Sequence, residues 1–464
     1  MKYFATILNA LIFFSCFVSM GDGASRMTRP LTDSEQQKLS EYWKQYSEQT
    51  PRLDDIEPID QQKIDDCVRK SLTFMTLNQN PNGSWGGPYH TKRLNIYAPV
   101  PGGPHAYAVG TSALAVCALC DWEQTAPEDL RPNITASIEK GQTWLLDNLP
   151  ILRRTDPQCT YNNWGHAYGI QALVRLYNRS VRNPQKEAAE LQKKMVDQIQ
   201  AQIKMLHKFE CIDGGWAYYN FDNPMAKPSG STISFVTAAV LIALDEAARL
   251  EVSRDILPEG KIDVPQVLID RAVASLVRQQ NPDFSFFYGE YLKAQPNRGV
   301  NRSSGSLART QSCNVALYYW STLRTDEEAQ TQKSGGKIPP TSLPASRFVT
   351  QQVLTDCLDR FCARIGWLDG ARKRSVPHDH FNQIAGYFYY YGHFYAGYAL
   401  QELDNPKDQD RLSRHLTQIL LDVQDQDGSY WDFVLYDYQK YYGTAMALST
   451  LARCERLKST QSQK

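Results

Sequence analysis

From about residue 60 onward, apolar residues recur at three- and four-residue spacing, interrupted by clusters of Gly, Pro and Asn, and this pattern predicts twelve helices in six consecutive pairs. The pairs are 62–77 with 107–121, 134–149 with 165–178, 187–208 with 232–250, 264–280 with 308–323, 348–363 with 382–403, and 410–424 with 441–456. The two members of a pair differ in kind. First members such as 187–208 carry a wide charged face, whereas second members are apolar or aromatic nearly all round, as in Ala238-Ala239-Val240-Leu241-Ile242-Ala243-Leu244. A helix that is apolar on every side is buried on every side. Six such helices, each backed by an amphipathic partner, close naturally into two layers. The expected fold class is therefore all-α, an (α/α)6 toroid of six helix pairs forming a single domain over 61–456, with the linker 325–344 as a solvent loop within it and 457–464 as a polar tail.

A short pattern punctuates the helices. Gln79-Asn80-Pro81-Asn82-Gly83-Ser84-Trp85 reads as Gln, three residues, Gly, one residue, Trp, and it returns in worn copies at 158–164, 210–216, 280–286, 362–367 and 424–430. The residue types have a physical sense at a helix end. Gln bonds orphan carbonyls, Gly permits positive φ, and the aromatic covers the neighbouring helix. The spacing of the copies makes this an internal repeat of roughly 50 to 80 residues.

Composition narrows the function classes. With 50 basic and 50 acidic side chains the chain has no global charge to recruit nucleic acid or an anionic membrane. Residues 1–25 read as an export signal, with Lys2, the apolar run 4–18 and the small residues 21–25, followed by a polar lead-in over 26–60. The expectation is an exported, periplasmic or extracellular protein without a transmembrane segment. Cys117 and Cys120 lie within an apolar helical run, which favours a buried helix face over a metal or redox pair, while Cys357 and Cys362 are a candidate disulfide pair.

The repeats resemble the QW motif of the squalene/hopene cyclase and protein prenyltransferase superfamily, on Gln79, Gly83 and Trp85, on Asp213-Gly214-Gly215-Trp216, on Asp427-Gly428-Ser429-Tyr430-Trp431, and in part on Lys140-Gly141-Gln142-Thr143-Trp144-Leu145. The resemblance covers 60–456 and is nearest to exported bacterial prenyltransferase/squalene oxidase repeat proteins. It implies the toroid and an isoprenoid-type ligand. The superfamily's chemical signatures are incomplete here. Asp425-Gln426-Asp427-Gly428 lacks the last Asp of the cyclase acid motif and reads as a turn, and Asp54-Asp55-Ile56-Glu57 falls short of a magnesium cluster. The nearest match to the prenyltransferase zinc site is Cys313 with His393, with Gln311 standing where the carboxylate belongs.

Candidate site residues follow from where a toroid places its loops. The segment from Tyr288 to Arg309 holds Lys293, Arg298, Arg302 and Arg309, and 370–380 holds Arg374; together they form a candidate basic rim for an anionic head group. The helix 382–403 carries Tyr387, Tyr391, Phe394, Tyr395 and Tyr398, an aromatic wall for an isoprenoid chain or a packed core. For acid–base work the candidates are His378, Asp379 and His380 with His166 and Glu290; the alternative for 378–380 is a loop that caps the next helix. The leading expectation is a toroid that receives an isoprenoid-like or long apolar ligand in an aromatic cavity, either to transform it as a transferase or cyclase or only to bind it. The alternatives are a lyase or hydrolase of an acidic glycan, with Glu290 and Asp379 as its carboxylate pair, and a ring used for protein contacts.

Overall fold

The structure is a computed structural model that describes residues 52–88, 103–154, 160–182, 188–218, 232–333, 349–379 and 383–462. The signal-like start 1–25 and most of the lead-in lie outside the described residues. The helices are α1 (Gln61–Leu77), α2 (Gly103–Trp122), α3 (Arg131–Asn148), α4 (Asn162–Arg182), α5 (Ala188–Phe209), α6 (Ser234–Ala248), α7 (Gln266–Gln279), α8 (Ser303–Lys333), α9 (Gln351–Ala363), the short α10 (Ile365–Asp369), α11 (Phe388–Gln401), α12 (Pro406–Asp422) and α13 (Gln439–Ser462). Several starts are locally encoded. The Asp60 carboxylate accepts from Gln62 N at 3.0 Å, Asn405 Oδ1 accepts from Lys407 N at 3.1 Å ahead of Pro406, and Thr350 Oγ1 accepts from Val353 N at 3.3 Å.

The all-round apolar helices form the inner layer, and that layer is closed. α2 packs on α4, α4 on α6, α6 on α8, α8 on α11, α11 on α13, and α13 returns to α2. The amphipathic helices α1, α3, α5, α7, α9 and α12 pack outside it. Inner helix α6 shows why: Phe235 through Leu244 are all buried, so neither of its sides meets water. The fold is the (α/α)6 toroid that the two classes of helix predict.

Four repeat copies share one conformation and tie each helix pair to the next. In the first, Gln79 Nε2 donates to the Gly83 and Ser137 carbonyls, Trp85 Nε1 to the Met75 carbonyl, and Trp85 N to Ser112 Oγ. The aromatic backbone N–H repeats its bond to an inner-helix hydroxyl three times more, from Trp216 to Thr237, from Phe286 to Ser306 and from Tyr430 to Thr444. Gly83, Gly214 and Gly428 sit at φ +94°, +92° and +82°, and a Cβ there would run into the carbonyl oxygen of Lys140, Arg271 or Lys70 on the next outer helix, well inside van der Waals contact. The last of these contacts joins α12 to α1 and closes the ring. Two copies depart from the pattern. Asn162 and Trp164 fall inside the first turn of α4, and Gly366 and Trp367 inside α10, because both stretches continue into helix where the others turn.

Two further differences concern the ends of elements. α8 continues to Lys333, so the first part of 325–344 is helix, and the remainder up to 348 lies outside the described residues. α11 begins at Phe388 and not at 382. Cys357 and Cys362 are free thiols on α9, and Cys117 and Cys120 are free on α2. No described helix is long and apolar enough to cross a membrane.

Candidate functional site

The N-terminal halves of five inner helices line a half-open cavity of about 150 Å³. Its wall takes Tyr107 and Leu114 from α2, Trp164 and Tyr168 from α4, Phe235 from α6, Phe388 and Tyr391 from α11, and Tyr442 and Met446 from α13. Tyr161, Tyr218, Tyr387 and Phe433 close it from the loops that enter these helices. Among the described residues no charged side chain lines it. The rings meet edge-on and offset, as their quadrupoles favour: Phe235 and Phe388 have centroids 4.9 Å apart at 81°, and Tyr161 stacks on Tyr218 at 5.5 Å. An apolar cavity of roughly this size admits one benzene-sized ring.

Two polar connections leave the wall. In the first, the Tyr218 and Tyr288 hydroxyls are hydrogen-bonded, Tyr288 OH lies 3.3 Å from Tyr387 OH, and Tyr387 OH lies 3.3 Å from His378 Nε2. His378 Nδ1 lies 2.6 Å from the Gln383 carbonyl. A carbonyl only accepts, so Nδ1 carries the proton and Nε2 accepts from Tyr387. Burial pushes His378 down to about 4, against the bond to Gln383, which leaves it neutral near pH 7. Beneath this chain lies the fully buried Arg309, whose guanidinium is 5.4 Å from the centroid of Tyr288 and 5.5 Å from that of Phe388. Its N–H groups donate to the carbonyls of Gly305, Phe286 and Val300, and burial lowers it to about 10.

The second connection starts at Tyr442, whose hydroxyl donates to Asp432 Oδ1 at 2.7 Å, while Asp432 Oδ2 accepts from Tyr390 N at 3.1 Å. Asp432 is fully buried, and burial raises it to about 7. Sequence reasoning missed this residue. Its position directly after the 424–430 repeat copy, where the chain turns into an inner helix, is the signal that marks it.

Of the sequence-predicted residues, Tyr387 and Tyr391 line the cavity, Tyr288 and His378 stand behind it, and Arg309 lies under its edge. The two loops expected to meet do so, with the Tyr288 and His378 rings 5.7 Å apart. Phe394, Tyr395 and Tyr398 are buried further along α11 and do not line the cavity. Glu290 is a buried ion-pair partner of Arg278 at 2.6 Å and Lys293 at 3.6 Å, so neither Glu290 nor Lys293 is offered to a ligand. Asp379 is exposed whereas Glu290 is buried, and His380 lies outside the described residues. His166 is a satisfied core residue between Gln202 Oε1 at 2.6 Å and Asn162 Nδ2 at 3.1 Å, and burial lowers it to about 4. Arg298 and Arg374 are exposed and Arg302 half-buried, with bonds to Gln295, Gly370 and the Asn297 carbonyl. The expected basic rim is thus split, because its two innermost cations, Lys293 and Arg309, turn into the protein.

The donor set does not fit zinc. Cys313 is buried in the field of Arg309, and its thiol is pushed up to about 12 by burial. His393 directs Nδ1 at the Tyr389 carbonyl at 2.8 Å and packs on Phe361, and Gln311 donates to the Cys357 carbonyl. Among the described residues no three His, Cys, Asp or Glu side chains group as metal ligands.

The opposite face of the ring differs in chemistry. There the C-terminal halves of α2, α4, α6 and α13 surround a bowl of about 930 Å³ lined by Asp121, Arg175, Arg249, Glu246, Glu455 and Arg456 among others. Arg175 bonds Glu246 at 2.8 Å and lies 3.5 Å from Asp121, and Arg456 bonds Asp121 at 2.8 Å. These residues are scattered over more than 300 positions of sequence.

No protein-family model and no curated protein matches the chain. Among solved structures it is similar to a type II terpene cyclase from Scytonema, at a TM-score of 0.42 and 12% identity over 86% of this chain and 100% of that one. A variant of that cyclase in complex with geranylgeranyl dihydroxybenzoate gives a TM-score of 0.43 at 12% identity, covering 85% of this chain and 98% of that one. An inactive variant of an alpha-1,6-mannanase from Salegentibacter in complex with alpha-1,6-mannotetrose gives 0.44 at 11% identity, covering 85% and 100%. The functional reading rests on the cavity itself.

Proposed function

We propose that this protein receives an isoprenoid-like or other apolar ligand in the aromatic cavity of its ring. One observation carries the reading: the cavity wall is built of aromatic rings and, among the described residues, holds no charged side chain. Such a wall takes apolar groups from water at about 0.8 kcal/mol for each methylene buried. Its ring faces also favour a developing carbocation. At about 150 Å³ the cavity holds one ring-sized portion, so a long chain leaves its remainder outside. A glycan hydrolase needs two carboxylates roughly 5 to 9.5 Å apart across the scissile bond. Of the pair that the sequence suggests, Glu290 is buried in an ion pair and Asp379 is exposed, which speaks against that role. The signal-like residues 1–25 extend the proposal to a protein that works outside the cytoplasm.

The test is equilibrium binding of naphthalene, followed by its fluorescence, and its displacement by farnesol. Saturable one-to-one binding is expected, lost in Leu114→Trp and in Met446→Phe, each of which fills the cavity from the wall. Folding of the variants is checked by thermal melting. A folded protein that binds neither probe, or binding that survives both variants, would overturn the reading.

A further inference from the structure

We propose that Tyr218, Tyr288, Tyr387 and His378 form a proton path leading out of the cavity, and that the ligand it serves is an apolar molecule bearing an acidic hydroxyl of the phenol or enol type. This rests on the cavity being a ligand site.

The geometry gives the path both continuity and direction. Tyr218 and Tyr387 lie on the wall, Tyr288 joins them behind it, and His378 is half-buried on the outer side. The Gln383 carbonyl fixes the proton of His378 on Nδ1, so Nε2 accepts from Tyr387. Tyr387 oxygen then accepts from Tyr288, and Tyr288 oxygen from Tyr218, so every phenol proton points the same way, toward His378. Apolar packing alone does not call for this. A Tyr387→Phe ring would pack on Phe433 and Phe388 equally well, so the contribution of the hydroxyl lies in the chain it completes.

The step balances without a co-reactant. A ligand hydroxyl gives its proton to Tyr218 oxygen, Tyr218 gives its own to Tyr288, Tyr288 to Tyr387, and Tyr387 to His378 Nε2. The products are a ligand oxyanion and an imidazolium; all three phenols end neutral. Arg309, a buried cation over the Tyr288 ring, stabilises negative charge at the middle of the path while the protons move. The low basicity of His378 means that it holds the proton briefly and returns it readily, as a reversible acid–base group does.

The probe is 2-naphthol, which becomes a strong acid when excited and emits at longer wavelength once it has lost its proton. Bound to the full chain, it is expected to show naphtholate emission. In Tyr288→Phe, Tyr387→Phe and His378→Gln that emission should fall at least tenfold, while naphthalene affinity stays within twofold of wild type in Tyr288→Phe and His378→Gln, whose side chains stand behind the wall. Tyr391→Phe, whose native hydroxyl bonds Phe235 O and Ser312 Oγ and lies off the path, should keep it. Naphtholate emission that persists in any of the three path variants overturns the path. Naphthalene binding with only neutral naphthol emission in the wild type also overturns the path but leaves the cavity reading standing, whereas absence of naphthalene binding removes both.

Discussion

The Tyr442 hydroxyl donates to Asp432 Oδ1 at 2.7 Å, and through that bond a fully buried carboxyl reaches the wall of the cavity. The other oxygen accepts from Tyr390 N in the first turn of α11. Asp432 therefore serves as a cap for a helix that begins 44 residues before it in sequence, counting from Phe388.

Burial raises Asp432 to about 7, and the bonds from Tyr442 and Tyr390 only partly offset it. Because the folded value lies above the unfolded value of about 3.9, its contribution to stability is complete below about pH 4 and is lost as pH rises through about 7. Each pH unit between the folded and unfolded values corresponds to about 1.4 kcal/mol, so relative to Asp432→Asn the wild type should lose on the order of 4 kcal/mol between pH 4 and pH 8. Urea unfolding of both proteins across that range measures the difference. A difference that does not change with pH would show that the carboxyl ionises normally.

This non-local cap explains where sequence reading stopped short. The two classes of helix were legible because burial on all sides leaves a run such as Val236 to Leu244 without a polar face, while α5 keeps one. Asp60, Thr350 and Asn405 are local caps that a sequence can show, but apolar spacing, taken without them, began α9 at 348 and α12 at 410 where the helices start at 351 and 406. The start of α11 carries no such local signal, because its cap comes from Asp432. The proton path is hidden for the same reason, since Tyr218, Tyr288 and Tyr387 lie 70 and 99 residues apart. His166 misled through composition, a histidine whose needs Gln202 and Asn162 already meet.

The repeat turns yield a paired prediction. At Gly428 an added Cβ meets the Lys70 carbonyl oxygen at 2.5 Å and the backbone is at φ +82°, so Gly428→Ala should cost about 3 kcal/mol or more, left-handed strain of about 1–2 plus the clash. Gly366 is exposed in α10 with nothing within 4 Å of an added Cβ, and Gly366→Ala should add about 0.5–1 kcal/mol by helix propensity. Denaturant midpoints of the two variants check both signs. Equal effects would mean that the two copies share one conformation after all.

Arg309 offers a second stability test. Arg309→Met keeps much of the side-chain length but leaves the Phe286 and Val300 carbonyls without their buried donor. At about 1–3 kcal/mol for each of the two stranded groups, the loss should be about 2–6 kcal/mol in urea unfolding. A neutral outcome would show that other groups reach those carbonyls, and that the cation is not what holds the 286–300 segment against α8.

The last prediction concerns the charged bowl. Arg175 on α4 bonds Glu246 of α6 and approaches Asp121 of α2, and its Nη2 lies 3.2 Å from the Tyr398 hydroxyl of α11. Arg453 of α13 lies 3.8 Å over the Tyr398 ring. One network thus spans five of the six inner helices at the face opposite the cavity. Burial raises Asp121, and the fields of Arg175, Arg453 and Arg456 outweigh it and hold the carboxyl below its ordinary value. Removing one partner from such a network strands charges that burial cannot tolerate, at about 3–5 kcal/mol. Arg175→Met should therefore lower stability by about that amount, and Arg175→Met with Glu246→Gln should recover part of it because one stranded charge is gone. Naphthalene affinity should stay within twofold of wild type, since the cavity is built from the other ends of these helices. Urea unfolding and a naphthalene titration on the same samples separate the two faces: a tenfold loss of affinity would mean that the bowl and the cavity act as one site.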